Sequence, residues 1–152
     1  MYEEDKKNII VDEVPEPSSS ISLEIFIFIH KIYIYIYNII LLFLFIFKRH
    51  SFVYDYKPMI IEVLVAIILL LINIFRLRLT SIGNKTERAL LLLIAVIMGV
   101  INLIGYICLM RLQSYVTYFD IAFGSIESVI IFFELFFSIW TMFNIKVHEK
   151  NI

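Results

Sequence analysis

Lys31, Glu62, Glu127 and Glu134 are the ionisable candidates for bilayer depth within the long apolar runs of this 152-residue sequence, accompanied there by Asn38, Asn73 and Asn102. A charge at bilayer depth costs about 2.5–3.5 kcal/mol on insertion scales, so each needs a physical reason to be there. Two kinds of chemistry fit. Intramembrane carboxylates relay protons or line an ion path, or they hydrogen-bond across helix contacts and fix register and orientation. Other chemistry is poorly provided for. His30, His50 and His148 lie in three different surroundings without ligand spacing, and Cys108 is the only cysteine, so no metal site or disulfide framework is expected. Nucleophile-elbow, P-loop and zinc-protease motifs are lacking. With no cluster of nucleophile, base and oxyanion donors, the chain reads as a non-enzyme with no cofactor and no small-molecule substrate. A formal net charge of −1 without a basic face argues against nucleic acid.

The elements that must position these residues are legible from hydropathy. Apolar residues make up 61% of the sequence, well above the usual share for soluble domains. A helix needs about 20 largely apolar residues to cross a hydrocarbon layer of about 30 Å. Four stretches reach that length: about 23–47, 58–79, 89–110 and 121–143. Loops of about ten residues force antiparallel neighbours, so the expected fold is an all-α membrane protein, a four-helix up-down bundle with short loops in the lipid bilayer. Ile32 to Tyr37 reads IYIYIY, a strand-like alternation. A lone strand in lipid would leave its backbone unpaired, so helix is expected there too. Residues 1–22 are acidic and carry two prolines and a serine run, which reads as a disordered cytoplasmic tail rather than a secretory signal. Residues 146–152 form a second short tail.

Orientation rests on the short loops. Lys6, Lys7, Arg76, Arg78, Lys85, Arg88, Lys146 and Lys150 fall on one side, and Lys48, Arg49, Lys57 and Arg111 on the other. The bias places both termini in the cytoplasm. The sequon Asn84-Lys85-Thr86 then faces the cytosol and stays unmodified. In span 4, Gly124, Glu127, Ser128, Ile131, Glu134, Ser138 and Thr141 follow three-and-four spacing and share one face. Ala95, Gly99, Asn102 and Tyr106 make a matching small-and-polar face in span 3. Lys31 and Glu134 lie roughly 12 and 13 Å in from the cytoplasmic ends of their spans, which predicts that they pair. Glu62 and Glu127 lie nearer the opposite boundary, where Arg111 could reach one of them. These two separate charge layers suit a structural role better than a conduit. A small oligomeric ion or proton channel using Glu62, Glu127 and Glu134 is the alternative.

Several short motifs, in order, resemble a known family. Ser19-Ser20-Ile21-Ser22-Leu23-Glu24-Ile25 resembles the S-S-x-x-L-E-I opening of the small four-pass proteins of the ciliary transition zone called transmembrane proteins 17, 80 and 216. Glu62 stands where that family has an acidic residue early in span 2. Ile74-Phe75-Arg76-Leu77, followed by Gly83-Asn84-Lys85, is similar to its I-x-R-L and G-[ST]-x-G-N turn. Leu112-Gln113-Ser114-Tyr115-Val116 with Asp120 resembles its L-Q-T-Y-V-x-x-x-E, and Glu134-Leu135 its span-4 E-L. His30-Lys31 departs from an Asn-Gly-like pair. The resemblance implies a subunit of the tectonic-like (Meckel syndrome) module, which sits at the base of the cilium and gates membrane-protein entry. Its partners would be other transmembrane subunits of that complex. It points to Arg76 and Glu134 as positions that matter, with recognition through helix faces and the Arg76–Arg88 loop.

Overall fold

The computed structural model describes residues 19–52 and 55–151. It contains four helices: α1 (Ile21–Ser51), α2 (Tyr56–Lys85), α3 (Ala89–Leu112) and α4 (Tyr118–Asn151). Each is long and apolar enough to cross a membrane. Residues 1–18 of the expected tail lie outside the described residues. Ile21 and Ser22, expected in the tail, already belong to α1, because the Ser20 hydroxyl accepts the Leu23 amide and starts the helix there.

The helices are 24 to 34 residues long, more than the roughly 20 needed to cross a bilayer, so the connections shrink to three to five residues rather than about ten. Their ends explain this. At the start of α4, Thr117 and Asp120 form a reciprocal cap: the Thr117 amide and hydroxyl donate to Asp120 Oδ2 at 2.8 and 2.6 Å. The α2–α3 turn is closed by the Arg88 amide on the Gly83 carbonyl at 3.0 Å. That six-to-one bond requires a left-handed residue inside the turn, and Glu87 takes it with φ 52°. Ile32–Tyr37 is helical like the rest of α1, so the alternation did not make a strand.

Buried positions on α1 and α3 follow three-and-four spacing. On α1 they are Leu23, Ile27, His30, Ile34, Tyr37, Leu41, Phe45 and Lys48; on α3 they are Leu92, Ala95, Gly99, Asn102, Tyr106 and Leu109. This is the 3.5-residue seam of shallow-angle bundle packing. The outward positions are Ile, Leu, Phe and Val, largely exposed in the isolated chain and suited to lipid. Helix contacts run α1–α2, α2–α3, α3–α4 and α4–α1, closing a ring. Its interior has two apolar layers. Tyr37, Leu41, Ala66, Leu69, Tyr106 and Ile131 belong to one; Leu23, Ile27, Leu77, Leu92, Met142 and Ile145 form the other. Gly99 lets α3 approach α4, since a Cβ there would overlap Leu135 and press on Arg76 Cδ.

Candidate functional site: a buried ion cluster across three helices

Between the two apolar layers lies a polar one. His30 comes from α1, Asn73 and Arg76 from α2, and Glu127 and Glu134 from α4. All are sealed, with exposure of 0% except for 1% at Arg76. Glu127 and Glu134 are seven residues apart, two turns on one face, and the His30 ring stands between them. Its Nδ1 is 2.5 Å from Glu134 Oε2 and its Nε2 is 2.9 Å from Glu127 Oε1. Arg76 grips Glu134 with both ends of its fork, at 2.9 and 3.1 Å. Asn73 donates to Glu127 Oε1 at 2.7 Å and accepts from Arg76 Nη2 at 2.8 Å, so it joins the two carboxylate sites.

The bond pattern limits the charge. A neutral imidazole has one donor nitrogen and one acceptor. Between Glu127 and Glu134 the ring is either an imidazolium donating to two carboxylates or a neutral imidazole facing one carboxylate and one protonated carboxyl. In either case Arg76 balances the remaining negative charge, and the cluster is neutral as a whole. Neutrality matters here because an unbalanced buried charge costs several kcal/mol.

Two smaller polar ties flank the cluster. At the end opposite the termini, Lys48 is fully buried and donates to Gln113 and Asp120, both at 2.7 Å. Nearby, Glu62 accepts the amide and hydroxyl of Ser114 at 2.7 and 2.8 Å. At the terminal end, the Asn84 side chain spans the Ser20 backbone, accepting its N–H and donating to its carbonyl, both at 2.9 Å. There Glu24 takes the Ser81 hydroxyl at 2.7 Å and Lys85 at 3.0 Å.

These contacts correct several expectations. Lys31 does not pair with Glu134, which is taken by Arg76 and His30. The physical reason is angular: adjacent helix residues point about 100° apart, and the buried seam of α1 passes through His30. Lys31 lies at its edge, only partly buried. Glu127 takes His30 and Asn73, not Arg111, and thus belongs to the same layer as Glu134 rather than to a separate one. Arg76 lies inside the bundle, not in a loop. Asn102 is fully buried on the expected face of α3, but its amide bonds to no protein group. The sequence reading assigned no pairing to His30 or Lys48, and Gln113 and Asp120 stood out only through the family resemblance. For the two α1 residues a signal existed: both fall on the three-and-four seam.

The arrangement can hold helices together and fix their register. In lipid there is no hydrophobic drive for helix association, so packing and interhelical hydrogen bonds carry it.

Comparison with known proteins matches this architecture to a family. No curated protein and no solved structure matches the chain. A family model named Transmemb_17 and described as "Predicted membrane protein" matches residues 25–131, which include His30, Asn73, Arg76 and Glu127. With well over half of its length matched, the chain belongs to the Transmemb_17 family of membrane proteins.

Proposed function

We propose that this protein is a non-enzymatic subunit of the ciliary transition-zone (tectonic-like) membrane complex, supporting cilium assembly and the membrane diffusion barrier by packing against other transmembrane subunits. The observation that carries the reading is the internal pairing of the central charges. His30 bridges Glu127 and Glu134, and Arg76 pairs with Glu134, so these groups hold the bundle in one register and leave its outer faces apolar. A rigid rod of four spans with connections of three to five residues has little surface outside lipid. Recognition then runs through helix faces, and the expected Arg76–Arg88 loop contracts to the turn at residues 86–88.

Both termini are assigned to the cytoplasm. Taking the buried Arg76 and Lys48 out of the loop count removes one cation from each side and leaves the bias in place. The test is imaging of a tagged copy in a ciliated cell. A ring at the cilium base is the expected result; diffuse endoplasmic-reticulum or plasma-membrane signal, with normal cilia after deletion, overturns the assignment.

A further inference from the structure

The ring of helices does not close evenly. Along the α1–α2 seam two adjoining grooves open to the outside, with Tyr35 lining both. The first, of about 240 Å³, is walled by Ile34, Ile74 and Leu77 and carries two cations, Lys31 and Arg78. The second, of about 310 Å³, is apolar, with walls that include Leu42, Phe45, Val63 and Leu70. On α2 the positions lining the two grooves (63, 66, 67, 70, 74, 77 and 78) follow three-and-four spacing, so they form one face of the helix.

The cations stand at a defined depth. The twenty residue-to-residue steps from Pro58 to Arg78 rise roughly 30 Å, the thickness of the hydrocarbon layer. Arg78 therefore reaches the headgroup level of the leaflet on the side of the termini. Lys31 lines the same groove as Arg78, and its long side chain can extend outward to that level. Among the described residues neither Lys31 nor Arg78 has a carboxylate partner, whereas Arg76, Lys48 and Lys85 all do. Two such cations at one groove mouth suit an anionic headgroup of the adjacent leaflet. From Arg78 the groove continues to Val63, roughly 22 Å along the helix, which is longer than the roughly 15 Å depth of one leaflet.

We propose that the α1–α2 seam is a binding site for one anionic glycerophospholipid, its phosphate held between Lys31 and Arg78 and one acyl chain running along the apolar groove past Tyr35. Charge complementarity at the mouth and an apolar channel of acyl-chain length together specify that occupant. The inference stands apart from the ciliary assignment and holds in any membrane that contains such a lipid.

The test is native mass spectrometry of the full chain released from bilayers of phosphatidylcholine doped with phosphatidylglycerol or phosphatidylserine. The expected result is one retained anionic phospholipid per chain, in preference to phosphatidylcholine. The double variant K31Q/R78Q should lose that preference by roughly thirtyfold, the effect of two juxtamembrane cations, while R88Q/R111Q, which removes two exposed cations off the seam, keeps it. L70W, which fills the apolar arm, should lower retention of every phospholipid. Helical content by circular dichroism separates these effects from misfolding. Equal retention of phosphatidylcholine and anionic lipid, or unchanged retention in folded K31Q/R78Q, overturns the proposal. So does occupation of the seam by a second copy of the chain, detected as a lipid-free dimer.

Discussion

His30 is the residue on which the interior turns. It separates two carboxylates on one helix face that would otherwise repel each other in a low-dielectric interior, and it ties α1 to α4 at two points. Arg76 supplies a permanent positive charge and the fork-shaped contact of the cluster. Removing one partner of such a buried pair leaves an uncompensated charge, at a cost of about 3–5 kcal/mol. R76L should therefore destabilise the bundle by about that amount, measured by unfolding in mixed micelles. R76L/E134L should recover most of the loss, because it removes both charges together. Strict additivity of the two single variants would show that the pair is not coupled. Asn84 makes a different kind of prediction. Both polar atoms of its side chain are engaged by the Ser20 backbone, so the sequon has no free amide nitrogen in the folded chain. Mass spectrometry of protein made in a glycosylating cell should find Asn84 unmodified, and a glycan there would contradict both the fold and the orientation.

Helix ends and close approaches set the behaviour of the elements. α2 and α3 turn through a residue that is not glycine, although Glu87 takes a left-handed conformation with φ 52°. For a residue with a Cβ that conformation costs about 1–2 kcal/mol, and the greater freedom of glycine in the unfolded chain offsets about 0.5–1 of it. E87G should thus raise stability by about 0.5–1 kcal/mol, read as a higher thermal midpoint in detergent; a lower midpoint would mean that the turn is held by the Glu87 side chain. Gly99 acts in the opposite sense. A valine there would push into Leu135 and Arg76 at once, so G99V should cost about 1–3 kcal/mol. At Gly124 the added atom would meet only the flexible side chain of Met110, so G124A should cost clearly less than G99V. Equal losses at the two sites would argue against a close α3–α4 contact at Gly99.

At the scale of the whole molecule, three polar ties at three depths lock the bundle: Ser20, Glu24, Ser81, Asn84 and Lys85 at one end, the ion cluster in the middle, and Lys48 with Gln113 and Asp120 at the other. Many of the motif residues that resemble the ciliary family meet one another in these ties. Ser20 meets Asn84, Glu24 meets Ser81 and Lys85, Glu62 meets Ser114, and Arg76 meets Glu134. A bundle whose central charges neutralise each other has no reason to conduct. Purified protein in planar bilayers should show no current above background, and E134Q should change stability rather than conductance. A current abolished by E134Q would restore the channel reading.

Local sequence determined what depends on local length and composition. Four largely apolar runs of more than twenty residues can satisfy their backbones in lipid only as helices, and short connections leave only the up-down arrangement. The faces of α3 and α4 followed from three-and-four spacing, which is a property of one helix at a time. Pairing was different. Which cation meets Glu134 depends on the rotation of α1 about its own axis, and that is set by packing against two neighbours. Lys31 and His30 differ by one position and are equally deep, so depth alone could not choose between them. Only the assembled bundle, by placing the seam through His30 and bringing Arg76 inward, decided that Glu127 and Glu134 share one neutral cluster and that Lys31 faces outward.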